Sequence, residues 1–141
     1  YVVGSFISGK FSERFGIHFM LLQGSWITAL GLCLSLFIFW LGFGSAMVFF
    51  GCMILAGVGN GMVLPNANAG LLSVRPSLAG SASGIGGAIM LGGGAFLAYL
   101  AGLISTEKAG PYPLMYLMIF TAFAALFIVR YIIFLEREIV V

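Results

Sequence analysis

The chain has 141 residues, of which 62% are hydrophobic and 7% charged, with a formal net charge of +2 and a mean hydropathy of +1.18. A soluble domain carries roughly a quarter charged residues, so this chain lacks the polar surface needed to face water, and its solvent is a bilayer. The small, scattered charge excludes a nucleic-acid-binding face.

A helix needs about 20 apolar residues to cross the hydrocarbon core. Tyr1 to Ser8 reads as the end of a preceding span. With no initiator Met and an apolar run at its start, the chain reads as a piece of a longer one. Gly9-Lys10-Phe11-Ser12-Glu13-Arg14-Phe15-Gly16 follows as a short polar loop, with glycines at both ends permitting a tight reversal. Full spans are predicted at 18–41, 45–71, 78–105 and 113–135, the first two joined by the uncharged turn Gly42-Phe43-Gly44. A spanning segment must satisfy its own backbone hydrogen bonds, which selects helix. The alternating ten-residue segments of a β-barrel are absent from the sequence. The fold expected is an all-α polytopic membrane bundle.

Charges fall where spans end. Alternate connections place Lys10, Arg14, Arg75, Arg130 and Arg137 on one side and only Lys108 on the other. The positive-inside rule makes the first side cytoplasmic, and with it the C-terminus. Glu13, Glu107, Glu136 and Glu138 all lie at span ends, so no carboxylate is expected within the membrane.

The spans differ in small residues. The first has only Gly24 and Gly31, and the fourth has no glycine; both are bulky and read as lipid-facing. The second carries Gly51, Gly57, Gly59, Gly61 and Asn60 and reaches Pro65, Asn66 and Asn68. In the third, Gly80, Gly84, Ala88 and Gly92 recur every four residues on one helix face, and Gly94, Ala98 and Gly102 form another row. Small residues let helix backbones approach closely in a bilayer. The second and third spans are therefore the expected interior helices, with the Gly80–Gly92 row as a face for tight packing against another helix, either in this chain or in the missing part.

Signs of catalysis are lacking. Gly4 to Lys10 approximates a phosphate-binding loop, but Phe11 stands where that loop needs Ser or Thr, and no strand precedes it. Cys33 and Cys52 form no metal-ligand spacing. No nucleophile–base pair is evident, so an enzyme is not expected, nor a metal site.

Gly9-x-x-x-Glu13-Arg14-x-Gly16 before an apolar helix resembles the signature loop of the major facilitator superfamily, commonly Gly-x-x-x-Asp-Arg-x-Gly-Arg-Lys. Glu13 stands for the Asp, and Ile17 and His18 replace the basic pair. That degenerate form is similar to the second copy of the loop, between helices eight and nine. Gly57-Val-Gly-Asn-Gly-Met-Val-Leu-Pro-Asn-Ala-Asn-Ala-Gly70 and Ser73-Val-Arg-Pro-Ser-Leu-Ala-Gly-Ser-Ala-Ser-Gly84 resemble the bicyclomycin/chloramphenicol-resistance (Bcr/CflA) drug exporters. The resemblance implies the end of helix eight through helix twelve of a twelve-helix fold, with a missing N-terminal half as partner. It further implies a bacterial inner-membrane protein that exports small drug-like molecules by alternating access. Proton antiport would drive this export, with no cofactor. Helices nine and twelve of that fold are outer, ten lines the cavity, and eleven lies between the halves.

On that basis Met53, Asn60 and Met62 are candidate substrate-cavity residues, an apolar wall with one amide. For Asn60 the alternative is a hydrogen bond between helices. Pro65 either bends the helix or ends it, and Asn66 and Asn68 are expected to bond backbone freed by Pro65. Lys10, Glu13, Arg14 and Arg75, framed by Gly9 and Gly16, are candidate cytoplasmic gating contacts or plain topology markers. His18 reads as an interfacial histidine and Arg130 as a side chain reaching for the headgroups. With no embedded acid in these spans, the proton-coupling group is expected upstream. The alternative function is a small oligomeric four-helix channel or a membrane scaffold subunit.

Overall fold

The computed structural model describes residues 1–73, 76–105 and 110–139, excepting the side chains of 76 and 136–139. Arg75, Glu107 and Lys108 lie outside these residues, as do the side chains of Glu136, Arg137 and Glu138. Five α-helices follow one another: α1 (Val2–Phe15), α2 (Ile17–Trp40), α3 (Ala46–Ser73), α4 (Ala79–Ile104) and α5 (Tyr112–Ile139), with one 3-10 turn at Pro76–Leu78. Four of them, α2 to α5, are long and apolar enough to cross a membrane. The described chain is thus an all-helical protein of membrane-spanning type.

The first difference from expectation comes at the charged segment. Lys10 to Phe15 continue α1 as helix, so the loop from Gly9 to Gly16 shrinks to one residue. Gly16 alone makes the turn, at φ +84°, while Gly9 is an ordinary helical residue with open space around it. A left-handed backbone conformation costs a glycine little, and that removes the need for a longer linker. At the other end of α2, Gly42 adopts φ +82°, and the Ser45 hydroxyl accepts the Val48 N–H to start α3. The Phe39 ring meets Phe49 and Tyr112 edge-on there.

The helix roles differ more sharply. α2, expected to face lipid, is a core helix, burying Met20, Gly24, Ser25, Ala29, Gly31, Leu32 and Ser35. Its widest interface is with α3, and it also packs along α5. The reason is steric: a Cβ on Gly24 would lie 2.7 Å from the Gly59 carbonyl oxygen, and one on Gly31 2.7 Å from Leu55 Cβ. Two glycines seven residues apart suffice for a close crossing when the partner's small residues match them. α5 buries Met115, Ala122 and Leu126, again at one-face spacing. Ala29, Leu32 and Ala122 form the core, with Met53, Met118 and Ile119 packed on it.

α4, expected to be interior, buries no residue. Gly80, Gly84 and Gly92 face open space, and Ala88 is exposed. Glycines repeated on a helix create a flat face but do not select a partner for it. Among the described residues the row meets no helix, while α4 touches α3 through Gly86 against Leu71.

Candidate functional site

The most polar part of the buried structure is the seam between α1 and α3. Pro65 lies inside α3. It has no N–H, so the Gly61 carbonyl four residues back loses its helical donor. The Ser5 hydroxyl supplies one, donating to Gly61 O at 3.2 Å. The next carbonyl, Met62 O, accepts from Asn66 Nδ2 at 2.7 Å. The same amide nitrogen donates to Ser8 Oγ at 2.6 Å, and the Ser12 hydroxyl donates to Asn66 Oδ1 at 2.8 Å. Asn66 is 3% exposed and Ser8 2%. A buried polar group in such surroundings is tolerated because it is hydrogen-bonded.

Ser5, Ser8 and Ser12 share one face of α1 at helical spacing, and each reaches across to α3. Glycines set the distance: a Cβ on Gly4 would strike the Val58 carbonyl, and one on Gly61 would strike the Tyr1 carbonyl. α1 is therefore clipped to α3 on both sides of its proline. Of the two asparagines expected to repair the proline's gap, Asn66 bonds the neighbouring carbonyl, whereas the freed carbonyl itself goes to Ser5. Asn68 is exposed and lines the α3–α4 groove. The three serines were the missed residues; their spacing of three and four on an apolar helix was the available signal.

A second feature is a half-open cleft of about 210 Å³ between α2, α3 and α5. Its polar lining is Ser25, Thr28, Asn60 and Thr121, set among aliphatic side chains such as Leu32 and Met118. Three hydroxyls already donate to their own helices: Ser25 to Leu21 O at 2.8 Å, Thr28 to Gly24 O at 3.0 Å, and Thr121 to Met118 O at 2.9 Å. Asn60 is exposed to the cleft and makes no hydrogen bond among the described residues. The cleft therefore offers apolar contact, hydroxyl oxygens as acceptors, and one carboxamide that both donates and accepts.

Of the three residues expected to line a cavity, the structure brings only Asn60 to this cleft. Met53 packs on the core, and Met62, 5% exposed, sits at the α2–α3 crossing beside Gly24. Asn60 precedes Pro65 by five residues, about 7.5 Å along a helix, so cleft and broken helix turn are neighbours. Below the cleft on α2, Ser35 is fully buried and its hydroxyl has no hydrogen-bond partner among the described residues.

At the charged end, Lys10, Glu13 and Arg14 are all exposed and form no ion pair among the described residues. The Arg14 guanidinium stacks over the Phe15 ring, 5.6 Å from its centroid. Phe11, Phe15 and Phe19 continue as a row of tilted rings across the Gly16 turn.

Among known proteins, no family model, no curated sequence and no solved structure matches this chain. What its fold defines is a class: a polytopic helical protein with four apolar helices of spanning length.

Proposed function

We propose that the protein is part of a secondary transporter that moves small, largely apolar molecules across a membrane by alternating access. The carrying observation is the cleft between α2, α3 and α5. It lies within spanning helices, its walls are apolar, and it keeps one free carboxamide at Asn60. Pockets of this composition bind apolar ligands and orient them through few polar groups. Pro65 removes one internal hydrogen bond from α3 close to that cleft, a local weak point in an otherwise continuous helix. The serine clip ties α1 to α3 on both sides of Pro65, so a bend there requires α1 to bend with it or the clip to release.

The finer assignment, a drug exporter of the major facilitator type in a bacterial inner membrane with its C-terminus in the cytoplasm, rests on the motif resemblance. Proton coupling belongs to that reading. The four spans contain no Asp or Glu, so we place the coupling group outside them. The oligomeric channel or scaffold alternative draws on α4, which buries none of its residues although it touches α3 and α5.

The test is extrusion of the neutral dye N-phenylnaphthylamine from cells expressing the protein. Expression accelerates extrusion, an uncoupler abolishes the gain, and Asn60→Leu reduces it several-fold at equal protein level. Extrusion that is unchanged by expression, or indifferent to Asn60→Leu, overturns the transport reading.

A further inference from the structure

Arg130 is the only charged residue within the four apolar spans. A cation inside a membrane helix is expensive unless it finds a partner or reaches the interface. It lies five residues before Leu135, where the apolar span of α5 ends. That is about 7.5 Å of helix, a distance an arginine side chain can cover by reaching toward the headgroups.

Among the described residues its surroundings supply apolar walls and no acid. Arg130 lines a groove of about 210 Å³ with Leu22 of α2 and Ile133 and Phe134 of its own helix. It makes no ion pair among the described residues. The one acidic side chain described, Glu13, is on α1, which has no contact with α5. Phe123, Phe127, Arg130 and Phe134 follow at spacings of four, three and four on one face of α5. The two phenylalanines below the arginine are 46% and 72% exposed. The face is thus a strip of open aromatic surface ending in a guanidinium that is unpaired among the described residues, near the end of the apolar span.

Leu22 beside Ile133 at one end, and Tyr112 bonded to Phe39 at the other, show that α5 runs antiparallel to α2. Arg130 therefore shares an end of the bundle with Lys10 and Arg14, and among the described side chains this end carries three cations against Glu13 alone.

We propose that this groove binds one acidic glycerophospholipid. Its phosphate meets the Arg130 guanidinium and its acyl chains lie along Phe127 and Phe123. The charge complementarity selects an anionic lipid, since a guanidinium pairs with phosphate oxygens through parallel N–H bonds. Basic pockets between membrane helices recognise headgroups in this way. The inference stands apart from the transport reading, because neither the cleft nor Pro65 enters it.

Trp26 provides the probe. It lies one helical turn beyond Leu22, about 6 Å along α2, so a brominated chain in the groove quenches it. The full chain, with Trp40→Phe to remove the distant indole, is titrated in detergent with brominated phosphatidylglycerol and brominated phosphatidylcholine. Phosphatidylglycerol is expected to quench at about fivefold lower concentration, the scale of one cation's attraction to anionic lipid. Arg130→Gln removes the preference and Lys10→Gln retains it. Phe127→Ala, which leaves the charge in place, weakens both lipids alike. Equal quenching by the two lipids overturns the proposal. So does a preference that survives Arg130→Gln, or one that Lys10→Gln removes equally well.

Discussion

Replacing Asn66 by alanine tests the α1–α3 seam most directly. The change removes two hydrogen bonds between helices, to Ser8 and from Ser12, and one to Met62 O within α3. Interhelical hydrogen bonds in membranes average about 0.6 kcal/mol each, with a maximum near 1.7. The two therefore contribute about 1.2 kcal/mol. The stranded Ser8 hydroxyl, buried with its partner gone, adds a penalty of about 1 kcal/mol. The sum is about 2 kcal/mol. Asn68→Ala, two residues away in the same sequence context, removes an exposed side chain and is expected to change stability by less than ~0.5 kcal/mol. The assay is reversible unfolding of the full chain in mixed detergent micelles, followed by helical circular dichroism. A double-mutant cycle of Asn66→Ala with Ser8→Ala isolates the pairwise part, expected near 0.6 kcal/mol. If Asn66→Ala and Asn68→Ala destabilise equally, the seam is not what joins α1 to α3.

Pro65→Ala returns a backbone donor to the Gly61 carbonyl. Ser5→Ala should then cost about 0.6 kcal/mol in the natural sequence and close to nothing in the Pro65→Ala background, read by the same unfolding cycle. An equal cost in both backgrounds refutes the role given to Ser5. Gly59→Leu forces a side chain against Thr28 and the Gly24 carbonyl and is expected to prevent the α2–α3 crossing, lowering folded yield by size-exclusion chromatography. Gly84→Leu meets open space and leaves that yield unchanged; the opposite ranking would reverse the helix roles described above.

The positions of the four long helices, α2 to α5, were legible because hydrophobic length and backbone satisfaction are properties of single segments, whereas α1 runs on through the charged segment read as a loop. Ile17–Trp40 and Ala79–Ile104 each lie within a residue of the spans read at 18–41 and 78–105. The site was legible only in part. Asn60 and Pro65 stand out as a polar residue and a helix breaker in an apolar run, but Ser5, Ser8 and Ser12 lie in a segment dominated by its charged end. Their role appears only when α3 is set beside them.

Composition and segment length are enough to define a helical protein of membrane-spanning type, with its spans and its charged ends, because a bilayer imposes the same terms on every segment independently. Which helix is inside was decided by the tertiary structure. α4 has the glycines, yet α2, with only Gly24 and Gly31, holds the centre. In lipid there is no hydrophobic drive between helices, so association depends on matched surfaces and hydrogen bonds. A match belongs to two segments at once: Gly24 counts because Gly59 faces it, and Ser5 because Pro65 has left a carbonyl open.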